Sequence, residues 1–175
     1  MKKIMTLIAV LFMFAAIQAQ SLQSLFDKYR DDDRFDYVSV GKGMMNMASA
    51  FGGNAKNNAE MMSKMKSIKI LTLNADAASL LMKSVISELN QVVEKGNFET
   101  AVETRDKGER VNIYYRFTGK DNADMLIVTK EKGEFSLIWI NGKMTKDEML
   151  HTFSDTGKAM NLFGINLNPE EVASK

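Results

Sequence analysis

The sequence predicts an α+β domain: a mixed or antiparallel sheet with a C-terminal four-strand meander, and helices packed mainly on one face. Three observations predict it. Residues 75–95 place apolar side chains at helical spacing. Between residues 98 and 140, apolar and polar residues alternate in runs of strand length. Short turns, each bearing glycine, separate those runs and join neighbouring strands as hairpins.

The chain opens on Met1-Lys2-Lys3 and an apolar run from Ile4 to Ile17 broken only by Thr6. Ala16-Ile17-Gln18-Ala19 then offers small residues at a cleavage position, so residues 1–19 read as a secretory signal peptide. That run is shorter than the roughly 20 residues needed to span a bilayer. A single domain is expected over residues 20–156, with residues 157–175 as a poorly fixed tail.

Leu22, Leu25, Phe26 and Tyr29 fall on one helical face, with Ser21 as N-cap and Asp31-Asp32-Asp33 as the stop. Phe35 to Val40 alternates as a strand. Gly41-Lys42-Gly43 turns the chain into a short helix, Met44 to Phe51, ended by Gly52-Gly53. Met61 to Lys66 reads as a further helical turn, and Ile68 to Leu73 as a strand. Asn74 caps the helix Ala75–Lys95, whose apolar stripe is Leu81, Val85, Leu89, Val92 and Val93, with Lys95-Gly96 as its stop. This helix is expected to cover the sheet centre near Val128 and Ile138.

The meander follows. Phe98 to Thr104 alternates, with Glu99 and Glu103 outward. Val111, Ile113, Tyr115 and Phe117 oppose Asn112, Tyr114 and Arg116 on the next strand. Met125 to Thr129 is nearly all apolar, as for a strand covered on both faces. Phe135, Leu137 and Trp139 oppose Ile138 and Ile140. Thr145 and Glu148 form a capping box for a last helix. Phe35–Met44 loosely parallels Phe135–Met144, read as two strand-to-helix turns solving one problem rather than as a duplication.

Composition narrows the chemistry. Without residues 1–19, the 175-residue chain keeps 156 residues, with 21 basic against 22 acidic. Near neutrality argues against a nucleic-acid footprint and against a polybasic membrane anchor. The chain has no cysteine, which removes disulfides, thiol catalysis, thiolate metal sites and lipoprotein acylation. No cofactor is expected. Gly41-Lys42-Gly43-Met44 lacks the spacing of a phosphate-binding P-loop. His151, the one histidine, lies in no hydrolase or metalloprotease motif. Asp31, Asp32, Asp33 and Asp36 lack the spaced pattern of a calcium loop and read as a solvated helix end.

Three candidate surfaces remain. Met44, Met45, Met47, Met61, Met62 and Met65 are chiefly core fillers, but Met44, Met47 and Met61 would supply a groove for a partner peptide or soft ligands for Cu(I). Tyr114 and Arg116 mark the outer face of the meander as a second contact surface. Glu99 and Glu103, four apart on one strand, are read first as edge protection, and second as the paired carboxylates of a glycan hydrolase.

The leading helix with Leu25-Phe26 and Tyr29 resembles a known pattern, as do the strand Phe35–Val40, the segment Ile68–Leu71 and the block Leu126-Ile127-Val128 … Ile138–Met144. Together they resemble the family called domain of unknown function 4252, found in exported proteins of the Bacteroidetes, over residues 21–155. The resemblance implies a small exported α+β domain, brings no catalytic residues, and associates such proteins with envelope stress. The expected function is thus a non-enzymatic periplasmic or secreted interaction protein whose partner is a protein or small ligand of the cell envelope. The alternatives are a hydrolase of envelope glycans and a methionine-based copper carrier.

Overall fold

The computed structural model describes residues 21–51, 63–73, 79–106, 108–131 and 133–148. The expected signal segment, the tail 157–175, Met61 and His151 lie outside the described residues. In chain order the elements are α1 (Leu22–Tyr29), β1 (Phe35–Gly41), α2 (Lys42–Phe51), β2 (Met65–Leu73), α3 (Ser79–Lys95), β3 (Glu99–Asp106), β4 (Glu109–Phe117), β5 (Asn122–Glu131) and β6 (Glu134–Lys143). The fold is α+β. Among the described residues six strands form one sheet in the order β1-β2-β6-β5-β4-β3, and every neighbouring pair is antiparallel. The last four strands are sheet neighbours in sequence order, and β6 then meets β2.

Alternation along the strands builds two cores, one on each side of the sheet. On one side, α1 and α3 bury Leu22, Leu25, Phe26, Tyr29, Met82, Val85, Leu89 and Val92 against Leu71, Leu73, Leu126, Phe135 and Leu137. On the other, Met45 of α2 packs with Met65, Val111, Ile113, Met125, Ile127 and Ile140. Strand β5 is therefore buried from Ala123 to Ile127, and its residues, apolar but for Asp124, serve both sides. Val128 does pack with the α1–α3 core, as expected. Ile138 does not: it belongs to the α2 side, because it alternates with Leu137 and Trp139, which face the helices. The described helices are accordingly divided, two on one face and α2 on the other.

Local chemistry fixes the element ends. The Ser21 hydroxyl accepts from Ser24 N at 3.1 Å and caps α1. Lys28 and the Tyr29 hydroxyl both donate to Glu88 Oε1, at 2.5 and 3.1 Å, and tie α1 to α3. Gly41 is the last residue of β1, and α2 begins at Lys42 with no turn residue between them. The strand β2 starts at Met65, so the expected helical turn covers only Ser63 and Lys64 among the described residues. Helix α3 ends at Lys95, as expected. The left-handed residue is Asn97 (φ 53°), and Phe98 N donates to Val93 O at 3.1 Å, closing a Schellman turn with Val93 and Phe98 in the same core. Gly96 serves closeness instead: a Cβ there would stand 2.5 Å from Val92 O and 3.0 Å from the Phe98 ring. Gly108 and Gly133 turn the β3–β4 and β5–β6 hairpins at φ 96° and 98°.

Candidate functional site

Helix α2 follows β1 directly and carries the methionines in opposed directions. Met45 is 2% exposed and fills the second core, whereas Met44 and Met47 are 61% and 56% exposed. Their i, i+3 spacing sets Met44 and Met47 side by side on the outer helix surface. Met61, the third member of the expected trio, lies outside the described residues. Among those residues no group of three or more His, Cys, Asp or Glu is placed to hold a metal ion.

Tyr114 and Arg116 correct the sequence reading. They were expected on an open outer face, but that face of β4 is the one that meets the helices. Tyr114 is half-buried against the α1–α3 core and accepts a hydrogen bond from Asn112 Nδ2 at 2.7 Å. Arg116 is inside a polar network that sequence reasoning missed. Asp124 is 2% exposed. Its Oδ2 accepts from Arg116 Nε at 2.8 Å and lies 2.8 Å from Arg116 Nη2. Its Oδ1 accepts from Trp139 Nε1 at 2.9 Å and Asn141 Nδ2 at 2.7 Å. Arg116 Nη1 donates to Gly96 O at 3.2 Å, and its guanidinium lies 4.5 Å from the Phe98 ring centre.

The register explains the network. Arg116, Asp124 and Asn141 are consecutive partners across β4, β5 and β6. The signal in the sequence was Asp124 itself, a carboxylate beside the buried run Met125–Ile127, which must find donors in neighbouring strands. Beside it, Lys69 Nζ lies 4.6 Å from the Trp139 ring centre and donates to Gln23 Oε1 at 2.6 Å, while Phe26 meets the same ring at 5.6 Å. Arginine, tryptophan and asparagine are thus spent on holding a buried charge in place, a structural task.

Glu99 and Glu103 also depart from expectation. A bulge between Thr100 and Val102 shifts the pairing, so Glu99 stands opposite Tyr115 and Glu103 opposite Asn112. Tyr115 and Asn112 lie on opposite faces of β4, and so the two carboxylates do too. Tyr115 donates to Glu99 Oε2 at 2.5 Å, and that bond pushes the phenol above its ordinary value. This register does not form the facing carboxylate pair that a glycosidase requires.

Several other charged groups are engaged locally. The side-chain and backbone donors of Arg34 hold Asp32 down to about 2. Arg30 pairs with Asp31 at 3.2 Å. Glu148 closes the expected capping box with Thr145 and accepts from Lys64 at 2.7 Å, and these bonds, the Lys64 one first, hold its carboxyl down to about 2. Burial, more than its bond to Glu88, raises Tyr29, while the bond to Glu88 raises Lys28. No helix among the described residues is long and apolar enough to cross a membrane.

A family model described as a domain of unknown function (DUF4252) matches residues 29–151. No curated protein and no solved structure matches the chain.

Proposed function

The chain belongs to the DUF4252 family, and from that premise we propose that it is an exported, non-enzymatic interaction protein that docks an envelope partner on the outer surface of α2. One observation carries this reading: Met44 and Met47, at 61% and 56% exposure, form an apolar step beside a Met45 that is fully committed to the core. Two large thioether side chains held in water gain when a partner's apolar surface covers them, and their flexibility lets them fit it. The polar chemistry of the sheet supports the same reading, since Arg116, Asp124, Trp139 and Asn141 satisfy one another. The basic, apolar and small-residue order of residues 1–19 supports export.

The test is recovery of a partner from lightly crosslinked cell envelopes. The double variant Met44→Glu/Met47→Glu is expected to lose the partner by at least about tenfold, the size of a lost apolar anchor. Leu80→Glu, at another exposed apolar position (75%), is the control and is expected to retain it. Equal recovery by the methionine variant and the wild type overturns the reading.

A further inference from the structure

The sheet ends in two outer strands, β1 and β3, each with a strand neighbour on one side only among the described residues. They are built differently. Eight residues of β3 include Glu99, Glu103, Arg105 and Asp106, and the strand is kinked by its bulge. Charge and a bulge are what keep an edge from pairing with a foreign strand. Strand β1 reads Phe35-Asp36-Tyr37-Val38-Ser39-Val40-Gly41, with one charged residue. It pairs with β2 in unbroken register from Phe35↔Leu73 to Gly41↔Ser67, so it presents a straight edge. At its centre Val38 is 50% exposed.

We propose that β1 is a self-association edge, on which a second copy of this chain adds its own β1 antiparallel about a two-fold axis at Val38. The two-fold, normal to the sheet, keeps each face continuous, so that α1 and α3 of both copies share one side and α2 of both the other. Centring on Val38 pairs the whole strand: Phe35 stands opposite Gly41, Asp36 opposite Val40, Tyr37 opposite Ser39, and Val38 opposite its own copy. The single charge of the strand never meets its like, since Asp36 falls against Val40. A β-branched pair occupies the centre, where cross-strand packing favours it. The net charge of +1 on 175 residues leaves no general repulsion against a second copy. An extended peptide of another protein would use the same main-chain bonds. The self-complementary order of side chains favours a second copy. The inference is independent of what binds α2.

Sedimentation of the purified protein across the micromolar range is expected to show a concentration-dependent dimer. Val38→Lys sets two ammonium groups against each other and is expected to weaken that dimer about a hundredfold. Val38→Thr keeps the branched shape and the dimer. The half-exposed position keeps the fold intact, which circular dichroism of each variant checks. The absence of cysteine gives a direct test of register: Val38→Cys is expected to form an interchain disulfide under mild oxidation, and Glu103→Cys on the opposite edge is not. A monomer at every concentration overturns the proposal. So does a dimer that survives Val38→Lys, equal crosslinking by Glu103→Cys, or a β1 edge found to take only a foreign peptide.

Discussion

Arg116 and Asp124 occupy one row across β4 and β5, and each makes the other tolerable. A carboxylate that is 2% exposed must be paired and fully hydrogen-bonded, and four N–H groups surround this one. Removing one partner of such a pair strands the other. Arg116→Ala is therefore expected to cost about 3 kcal/mol of stability, read from urea unfolding, because it leaves a buried charge with only neutral donors. The same variant, once folded, should recover the envelope partner as well as the wild type does. Loss of recovery without loss of stability would return Arg116 to a contact role. The tyrosine and arginine of β4 looked exposed in sequence because polar residues alternate there with Val111, Ile113 and Tyr115. That alternation records two faces and not which face the helices cover. Phe98, Gly96 and Asp124, each remote from Arg116 in sequence, decide it.

At the scale of elements, legibility followed the strength of the period. Leu22, Leu25, Phe26 and Tyr29 are all buried, as their spacing requires, β4 and β6 alternate as read, and β5 is covered on both faces as its apolar run predicts. The bulge of β3 was not legible, because Glu99-Thr100-Ala101-Val102-Glu103 alternates well enough to pass for a regular strand. Only the pairing with β4 reveals that Ala101 and Val102 both pack toward the α2-side core. The stop of α3 at Lys95-Gly96 was legible, but the division of labour beyond it was not: Asn97 takes the left-handed conformation, and Gly96 makes room for Val92 O and Phe98. Gly96→Ala is thus expected to destabilise by about 2 kcal/mol, since backbone must yield to the new methyl. Asn97→Gly is expected to change stability by less than about 0.5 kcal/mol or raise it, glycine being well suited to that conformation. Thermal unfolding of the two variants distinguishes a steric role at residue 96 from a conformational one. The candidate site was partly legible: the sequence singled out Met44 and Met47, but only packing separates them from the core residue Met45.

Across the whole molecule, the Lys64–Glu148 bond joins the residues before β2 to the turn after β6. Its pH dependence has a definite sign. The Glu148 carboxyl lies at about 2 in the folded chain against an ordinary value of 4.5. A lowered folded value stabilises the fold while the carboxylate is charged, so the contribution is complete above about 4.5 and fades as pH falls toward about 2. The bond is half in solvent, with side chains 38% and 43% exposed, so the effect is modest and screened by salt. Thermal midpoints measured against pH are expected to fall more gently between about 4.5 and 2 in Glu148→Gln than in the wild type.

The strand order has one more consequence, for the time course of folding. The strand β6 comes last of the described strands in the chain, yet it sits between β2 and β5, pairing residues 65–73 with 135–142. The β1–β2 pair and the β3–β5 ribbon can each form early, but among the described residues neither has a strand neighbour on its inner side until residues 134–143 join them. Sequence-distant closure of this kind is slow, because the intervening chain must first give up its freedom. Sheet closure is therefore a late step by virtue of the topology: two half-sheets wait with open seams, and β6 joins them.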